Sequence, residues 1–201
     1  MTRRHYEELA PGRRLFVAIP LPDDVRDAVA ALVAEVQAAG NPGLRDVRWV
    51  RLEGLHLTLR FLGPTADEAI ADIATAVDRT SRRIAPFDVA IHGAGAFPSL
   101  ERPRTLWLGV TEGQAELANV VRTLDEELTP LGRAPDDRPF QAHLTLARSD
   151  GVRAGPAVAR RLIEAGDGVQ ETFRADRIVL FESVQGDGRS RYVAVHEAPL
   201  R

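Results

Sequence analysis

The amino-acid sequence predicts a mixed α+β protein with two similar halves. Strand and helix signals alternate along the 201 residues without a long low-complexity linker, and several strand signals come in adjacent pairs. The tetrapeptide His-Leu-Thr-Leu also occurs twice, at residues 56–59 and 143–146. We therefore expect two half-lobes that place equivalent strands side by side around a pseudo-two-fold axis.

The first half of the chain predicts a strand, a helix, a strand pair and a second helix. After an apolar run, Asp23 or Asp24 caps a helix whose apolar residues are spaced by four, three and four. Gly63-Pro64 is expected to end the third strand, and Thr65 with Glu68 forms a capping-box pattern. The predicted elements are strand 15–20, a helix from 23 or 24 to a turn at 40–43, strands 47–50 and 56–62, and a helix from 65 to about 83.

The second half repeats this alternation. Its clearest signal is a helix closed by Pro130 and Gly132, because the apolar residues of that helix share one face. These apolar residues are Leu117, Val120, Val121, Leu124 and Leu128. The other predicted elements are strands 87–91, 105–110 and 143–147, a short helix 156–162, and strands 173–184 and 192–196 joined by a hairpin turn at 186–188.

The composition excludes several kinds of chemistry. The chain has no cysteine, so it forms neither disulfides, nor a thiolate nucleophile, nor a cysteine-ligated metal centre. All 26 basic residues are arginine, which excludes lysine Schiff bases and the lysine of a phosphate-binding P-loop. With 29 acidic residues the formal net charge is −3, so the signature of a duplex-DNA binder is missing and any contact with nucleic acid must be local.

Membrane insertion is not expected from the sequence. The longest uncharged run, Val89 to Leu100, has 12 residues and is too short to span a bilayer. The apolar run after Arg13 and Arg14 has acidic residues on both sides, which favours a strand over a secretory signal. We expect a cytoplasmic protein, and a monomer because the pattern leaves no extra apolar helix face.

The repeated tetrapeptide carries the chemistry. In each copy, strand alternation puts the histidine and the threonine on one face and the two leucines on the core face. His56, Thr58, His143 and Thr145 would then converge in a cleft. Imidazoles with a pKa of about 6.5 can supply a base and an acid, and threonine hydroxyls can donate to phosphate oxygens. These groups could hydrolyse a phosphodiester without a metal, although the residues alone do not tell which histidine is the acid.

Longer stretches around the motifs resemble the 2H phosphoesterase superfamily, and most closely its bacterial RNA 2′,3′-cyclic phosphodiesterase family, also called 2′-5′ RNA ligase. The shared stretches are LFVAIPLP at 15–22, HLTLRFLG at 56–63, WLG at 107–109, RPFQAHLTLAR at 138–148 and RSRY at 189–192. Ala142 stands where the family usually has proline before the second histidine. This departure relaxes a constraint on strand entry and removes no catalytic group.

The resemblance implies a fold and a domain organisation. The fold would be α+β, with two pseudo-symmetric lobes, each an antiparallel sheet flanked by helices, and with the active-site cleft between them. A single bilobal domain would cover residues 15–201, and residues 1–14 would form an N-terminal tail.

The resemblance also implies a mechanism. His56 would be the general acid and His143 the general base, and neither a metal nor a cofactor would take part. The substrate would be an RNA end or a nucleotide with a 2′,3′-cyclic phosphate, opened to a 2′-phosphomonoester with the 3′ oxygen as leaving group. By microscopic reversibility, the same groups could catalyse 2′-5′ RNA ligation.

Three further residues are candidate contacts to RNA or phosphate. Arg148 could bind phosphate bidentately, but strict alternation puts it on the core face, so it needs a strand end or a bulge to reach the site. Arg60 shares the His56 face by alternation and could contact the RNA backbone or simply be solvated. Phe140 could stack on a base or pack in the core, and alternation assigns Phe61 to the core.

Several alternative interpretations stay open. Zinc binding by the two motif histidines competes with acid–base catalysis, but neither motif has a further ligand at a recognised spacing. His5, His92 and His196 are expected to be structural. The substrate could instead be a small cyclic nucleotide, ADP-ribose cyclic phosphate or a 2′-5′ oligonucleotide, because the motifs describe the phosphate and not the base. The protein could also be a noncatalytic module that binds RNA ends.

Overall fold

The computed structural model describes residues 12–38, 47–149, 155–186 and 189–201. Nine strands and four α-helices lie within these ranges. The strands are β1 (Arg13–Pro20), β2 (Val47–Trp49), β3 (His56–Thr65), β4 (Phe87–Phe97), β5 (Thr105–Glu112), β6 (His143–Ser149), β7 (Gln170–Ala175), β8 (Arg177–Gly186) and β9 (Arg189–Pro199). The helices are α1 (Asp23–Ala38), α2 (Ile70–Ser81), α3 (Gln114–Leu128) and α4 (Gly155–Gly166).

The nine described strands form one antiparallel sheet. Eight of them follow the order β7-β4-β5-β6-β3-β1-β8-β9, and β2 pairs with β6. Four of these eight strands lie on each side of the centre, where β3 and β6 meet through the backbone pair of Leu57 with Leu144. The predicted α+β class is confirmed, and the two predicted lobes are the two halves of this single sheet.

The helices cover the sheet in two pairs. α2 packs on α3 and contacts β8 and β9, while α1 packs on α4 and contacts β7. The apolar spacing that predicted α1 and α3 is confirmed, because those residues are buried. In the described ranges, no helix has the length and apolarity needed to cross a bilayer.

The first strand begins two residues before its predicted start. The backbone of Arg13 pairs with Thr65, and its guanidinium forms an ion pair with Glu182 at 2.6 Å. These contacts extend β1 into the segment that was predicted as a tail. Residues 1–11 of that segment, including His5, lie outside the described residues, as do the predicted turn at 40–43 and the tip of the hairpin turn at 187–188.

Gly63-Pro64 does not end the third strand, and Thr65 does not cap a helix. β3 continues to Thr65, with Gly63 at a φ of 69° opposite Leu15. The Thr65 hydroxyl is buried, donates to the Gly63 carbonyl at 3.2 Å and accepts from Arg133 at 3.3 Å. The predicted capping box is therefore wrong. α2 begins only at Ile70, after a short 3-10 turn.

The predicted strand at 173–184 is two strands that belong to different halves of the sheet. β7 pairs with β4, whereas β8 pairs with β1. At the break between them, the Asp176 carbonyl accepts a hydrogen bond from the Leu200 amide at 2.8 Å. The continuous apolar pattern hid this crossing because both strands bury side chains in the same core.

Candidate active site

The two His-Leu-Thr-Leu motifs lie side by side at the centre of the sheet. Leu57 is opposite Leu144, and continuing this antiparallel register by one residue in each direction sets His56 opposite Thr145 and Thr58 opposite His143. Side chains that are opposite each other on an antiparallel pair share a face, with Cβ atoms about 4.5–5.5 Å apart. The leucines of both motifs are buried. The structure thus brings the four predicted site residues together, which we call the motif quartet.

Both motif histidines are held in the same way. Nδ1 of His56 donates to the Gly54 carbonyl at 2.7 Å, and Nδ1 of His143 donates to the Gln141 carbonyl at 2.8 Å. A carbonyl oxygen only accepts, so Nδ1 must carry the proton in the neutral ring. Nε2 of each ring is therefore the nitrogen available to exchange a proton with a substrate.

Aromatic rings surround each histidine. The His56 ring lies 4.7 Å from that of Phe16 and 5.0 Å, edge to face, from that of Tyr192. The His143 ring lies 5.1 Å, edge to face, from that of Phe97. Neither ring has a carboxylate partner among these contacts, so each imidazole lies in an apolar setting that disfavours its charged form.

This setting lowers the pKa of both histidines. Burial lowers the pKa of His56 to about 4, and the hydrogen bond to Gly54 opposes the shift only in part. Burial also lowers the pKa of His143, with a smaller contribution from the positive charge of Arg148, while the hydrogen bond to Gln141 opposes both. Without a bound anion, both rings are neutral at pH 7.

The motif quartet lies between two adjoining cavities. A smaller cavity of about 220 Å³ is lined by His56, Thr58 and Thr145. A larger groove of about 1190 Å³ is lined by His143 and also by Thr58. The Thr58 and Thr145 hydroxyls have no hydrogen-bonding partner within the described ranges, which leaves them free to donate to a ligand.

Arg148 reaches the smaller cavity because of a bulge. In the pairing of β6 with β5, the register shifts so that Thr145 and Ala147 have partners on β5 and Leu146 has none. The two successive residues Leu146 and Ala147 are both buried, and Arg148 turns outwards. It lines the cavity that holds Thr145 and His56. The sequence required such a bulge for Arg148 to approach the site, and the structure contains it.

The first motif has the same irregularity, and it overturns two predictions. Against β1, the register of β3 shifts between Thr58 and Arg60. The Arg60 side chain is only 5% exposed and pairs with Asp125 and Asp136, both at 2.8 Å. Phe61, predicted to be in the core, is 58% exposed. Alternation breaks down at the bulge, so the predicted solvated Arg60 and core Phe61 are both wrong. The contact of Arg60 with the RNA backbone stays a prediction, because Arg60 also lines the larger groove.

Other residues around the site were assigned differently or missed. Phe140 lines the larger groove and packs against the core, so its position suits both predicted roles. Phe16, Tyr192 and Arg14 line the smaller cavity but were not among the predicted site residues. The shared stretches at 15–22 and 189–192 contain Phe16 and Tyr192, and that was the available signal.

Among the described residues, the donor groups around the motif quartet do not form a metal site. Within the part of the chain that the structure describes, no three His, Asp or Glu side chains converge as metal ligands would. The nearest partners of the motif histidines are backbone carbonyls and aromatic rings. Metal independence stays a prediction, which calls for a chelation experiment.

Comparison with known proteins agrees with this geometry. A family model described as the 2′-5′ RNA ligase superfamily matches residues 21–187, a segment that contains both motifs. A curated relative from Aeropyrum pernix, named RNA 2′,3′-cyclic phosphodiesterase, is 35% identical over 138 residues, which are 69% of this chain and 77% of the relative.

Solved structures show the same fold. TT0787 of Thermus thermophilus superposes with a TM-score of 0.72 at 27% identity, covering 94% of this chain and 98% of that protein. LigT of E. coli, solved in complex with 3′-AMP, superposes with a TM-score of 0.70 at 25% identity, covering 94% and 98%. By sequence and by fold, this chain belongs to the 2′-5′ RNA ligase superfamily.

Proposed function

We propose that this chain hydrolyses the 2′,3′-cyclic phosphate of an RNA end to a 2′-phosphomonoester. The observation that carries the proposal is the motif quartet, whose two strands pair at Leu57 and Leu144 and whose side chains line two cavities that share Thr58. The name of the curated relative and the 3′-AMP bound to LigT support a substrate with a ribose phosphate.

The reaction needs two proton transfers. His143, as general base, takes a proton through Nε2 from a water molecule whose oxygen attacks phosphorus. The bond from phosphorus to the 3′ oxygen breaks, and His56, as general acid, gives a proton to that oxygen. One water is consumed, and the products are a 3′ hydroxyl and a 2′-phosphate.

The remaining residues stabilise negative charge. The unpartnered hydroxyls of Thr58 and Thr145 donate to the nonbridging oxygens, and the guanidinium of Arg148 offers them a charged, bidentate contact. Thr58 of the first motif lines the same cavity as Thr145 and Arg148 of the second. Donors from both motifs therefore surround one phosphate.

Binding of the substrate favours the protonated form of His56, which is the general acid. Both imidazoles are neutral in the empty site, because burial lowers their pKa values. A phosphate anion beside His56 favours the imidazolium and raises the pKa of that ring. The acid is therefore charged when its leaving group is present. In the reverse direction, an RNA 5′ hydroxyl in place of water would give the 2′-5′ ligation product.

The test is incubation with a short RNA that ends in a 2′,3′-cyclic phosphate, in excess EDTA, with 2′- and 3′-phosphate products resolved. We expect the 2′-phosphate, and no product from the His56→Ala or His143→Ala variants. His92→Gln is a matched control, because Nδ1 of His92 also bonds a carbonyl, that of Val169 at 2.9 Å, but His92 lines neither cavity.

Other outcomes separate the alternatives. Turnover of nucleoside 2′,3′-cyclic phosphates alone would assign a small-nucleotide phosphodiesterase. Tight binding of the RNA end without turnover would assign a noncatalytic end-binding module. Activity that EDTA abolishes and zinc restores would contradict the metal-independent mechanism.

A further inference from the structure

The smaller cavity contains two guanidinium groups and no carboxylate. Arg14 and Arg148 line it together, and no Asp or Glu of the described residues does. Neither arginine forms an ion pair or a side-chain hydrogen bond within the described ranges. Elsewhere the arginines are commonly paired, as Arg83 is with Glu126 and Glu127. A chain with net charge −3 thus keeps two unneutralised cations in one small cavity.

Arg148 is assigned to the cyclic phosphate that reacts, but Arg14 lies in another part of the cavity. Arg14 is on β1, opposite Pro64, at the far end of β3 from His56. It is two residues from Phe16, which is about 7 Å along a strand. The His56 ring lies 4.7 Å from the Phe16 ring. An anion held by Arg14 would therefore lie about one nucleotide unit away from the reaction centre.

The surface between the two cations is aromatic. Phe61 is the backbone partner of Phe16, lines the same cavity and is 58% exposed, and Tyr192 also lines that cavity, with its ring 5.1 Å from that of Phe16. Aromatic rings of this kind accept a ribose or a base by stacking and apolar contact. Arg148, Phe61 and Arg14 lie on the successive strands β6, β3 and β1, which gives a cation, an aromatic ring and a second cation, as in phosphate, nucleoside and phosphate.

We propose that Arg14 binds a second phosphate of the substrate, on the 5′ side of the nucleoside that carries the cyclic phosphate. This inference rests on the proposed function and names its substrate class. Substrates with a 5′ phosphate or a 5′ phosphodiester would be preferred over nucleoside cyclic phosphates with a free 5′ hydroxyl. The guanidinium contacts phosphate by charge-assisted hydrogen bonds, which are strong and independent of the base.

The experiment compares kcat/KM for adenosine 2′,3′-cyclic phosphate, its 5′-phosphorylated form and the dinucleotide ApA with a terminal cyclic phosphate. We expect the wild type to prefer both larger substrates by about tenfold or more. In Arg14→Gln this ratio should fall to about one, and Arg14→Lys should give an intermediate ratio. Arg82→Gln is the matched control, because Arg82 is exposed and lines neither cavity. The two larger substrates distinguish a phosphomonoester from an RNA phosphodiester as the group that is bound.

A binding measurement tests the role of Arg14 independently of the proposed function. Affinity for adenosine 2′,5′-bisphosphate and for adenosine 2′-monophosphate is measured by calorimetry for the wild type and the three variants. The bisphosphate should bind the wild type about tenfold more tightly, and Arg14→Gln should lose that difference. Equal affinities in the wild type, or an unchanged difference in Arg14→Gln, would overturn the inference. Absence of turnover on every substrate would overturn the proposed function while the binding arm still decides the role of Arg14.

Discussion

Arg148 occupies in the second motif the place that Phe61 occupies in the first. Each follows its motif histidine by five residues, and each turns outwards after a bulge that buries the two residues before it. The pseudo-symmetric backbone therefore presents a cation on one side of the motif quartet and an exposed ring on the other. This difference breaks the symmetry of the quartet and gives a bound nucleotide a direction.

Replacing either motif histidine should abolish catalysis without unfolding the protein. His56→Ala and His143→Ala should each lower kcat by about 10²- to 10⁴-fold, because each removes a general acid or base. Circular dichroism and thermal melting should show the native fold in both variants. Turnover at the wild-type rate in both would contradict the two-histidine mechanism, and His92→Gln provides the reference for a histidine outside the site.

The pH profile should reflect the lowered pKa values. The base is inactive when protonated, so activity falls below its pKa, and the acid is inactive when deprotonated, so activity falls above its pKa. Burial lowers the pKa of both rings in the free protein. The profile of kcat/KM should therefore be bell-shaped, with a maximum below about pH 6.5.

The kcat profile should lie at higher pH than the kcat/KM profile. Bound phosphate raises the pKa of the acid, and kcat reports the substrate complex rather than the free enzyme. Steady-state rates at saturating and at low substrate concentrations measure both curves. A flat response between about pH 5 and 9 would indicate that other groups carry the protons.

The two threonines should contribute less than the histidines. Thr58→Val and Thr145→Val keep the side-chain shape and remove one donor to the phosphate, so kcat/KM should fall by about 10- to 100-fold, mainly through KM. Thr58→Ser and Thr145→Ser keep the hydroxyl and should retain most of the activity. Steady-state kinetics on the cyclic substrate would show this, and a loss as large as that of the histidine variants would assign the threonines a part in proton transfer.

Substitutions of Arg60 and Arg148 should affect different properties. Arg60→Met should lower the stability of the protein, and Arg148→Met should lower its activity. Arg60→Met leaves Asp125 and the Ala134 carbonyl without their buried partner, so the free energy of unfolding should fall by about 2–4 kcal/mol. Arg148→Met changes an exposed side chain and should alter stability by no more than about 0.5 kcal/mol, while kcat/KM falls by about 10²-fold. Urea denaturation and kinetics on both variants test the pair. Equal effects of the two on activity would mean that Arg60 also contacts the substrate.

The repeated tetrapeptide was enough to predict which strands meet. Its alternation placed the leucines in the core and the motif quartet on the opposite face, and helix spacing located α1 and α3. Alternation failed one residue beyond each motif, because a bulge depends on backbone pairing with β1 or β5 and not on side-chain polarity. Backbone pairing also explains the wrong prediction at Thr65. This residue matches a capping box, but it pairs with Arg13 as the last residue of β3.

Contacts between distant segments left no local signal. Tyr192 packs on His56 across the sheet, and no periodicity within either segment reports that contact. The break at Asp176 likewise depends on which half of the sheet each neighbouring strand joins. The final shared stretch of the resemblance, which contains Tyr192, was the only available signal, and Tyr192 was not among the predicted site residues.

The crossing of the chain at Asp176 also sets the order in which the two halves of the sheet are completed during synthesis. In the half that carries His143, β4 to β7 come from residues 87–175 and β2 from residues 47–49, whereas the half that carries His56 needs β8 and β9 as well as β1 and β3. Leu15 of β1 can pair with Glu182 of β8 only after the ribosome has added 167 further residues. Chains generally begin to fold during synthesis, and pairings this distant form late. A nascent chain thus has every strand of the half that carries His143 by residue 175, and the cleft is completed only after β8 and β9 have been added.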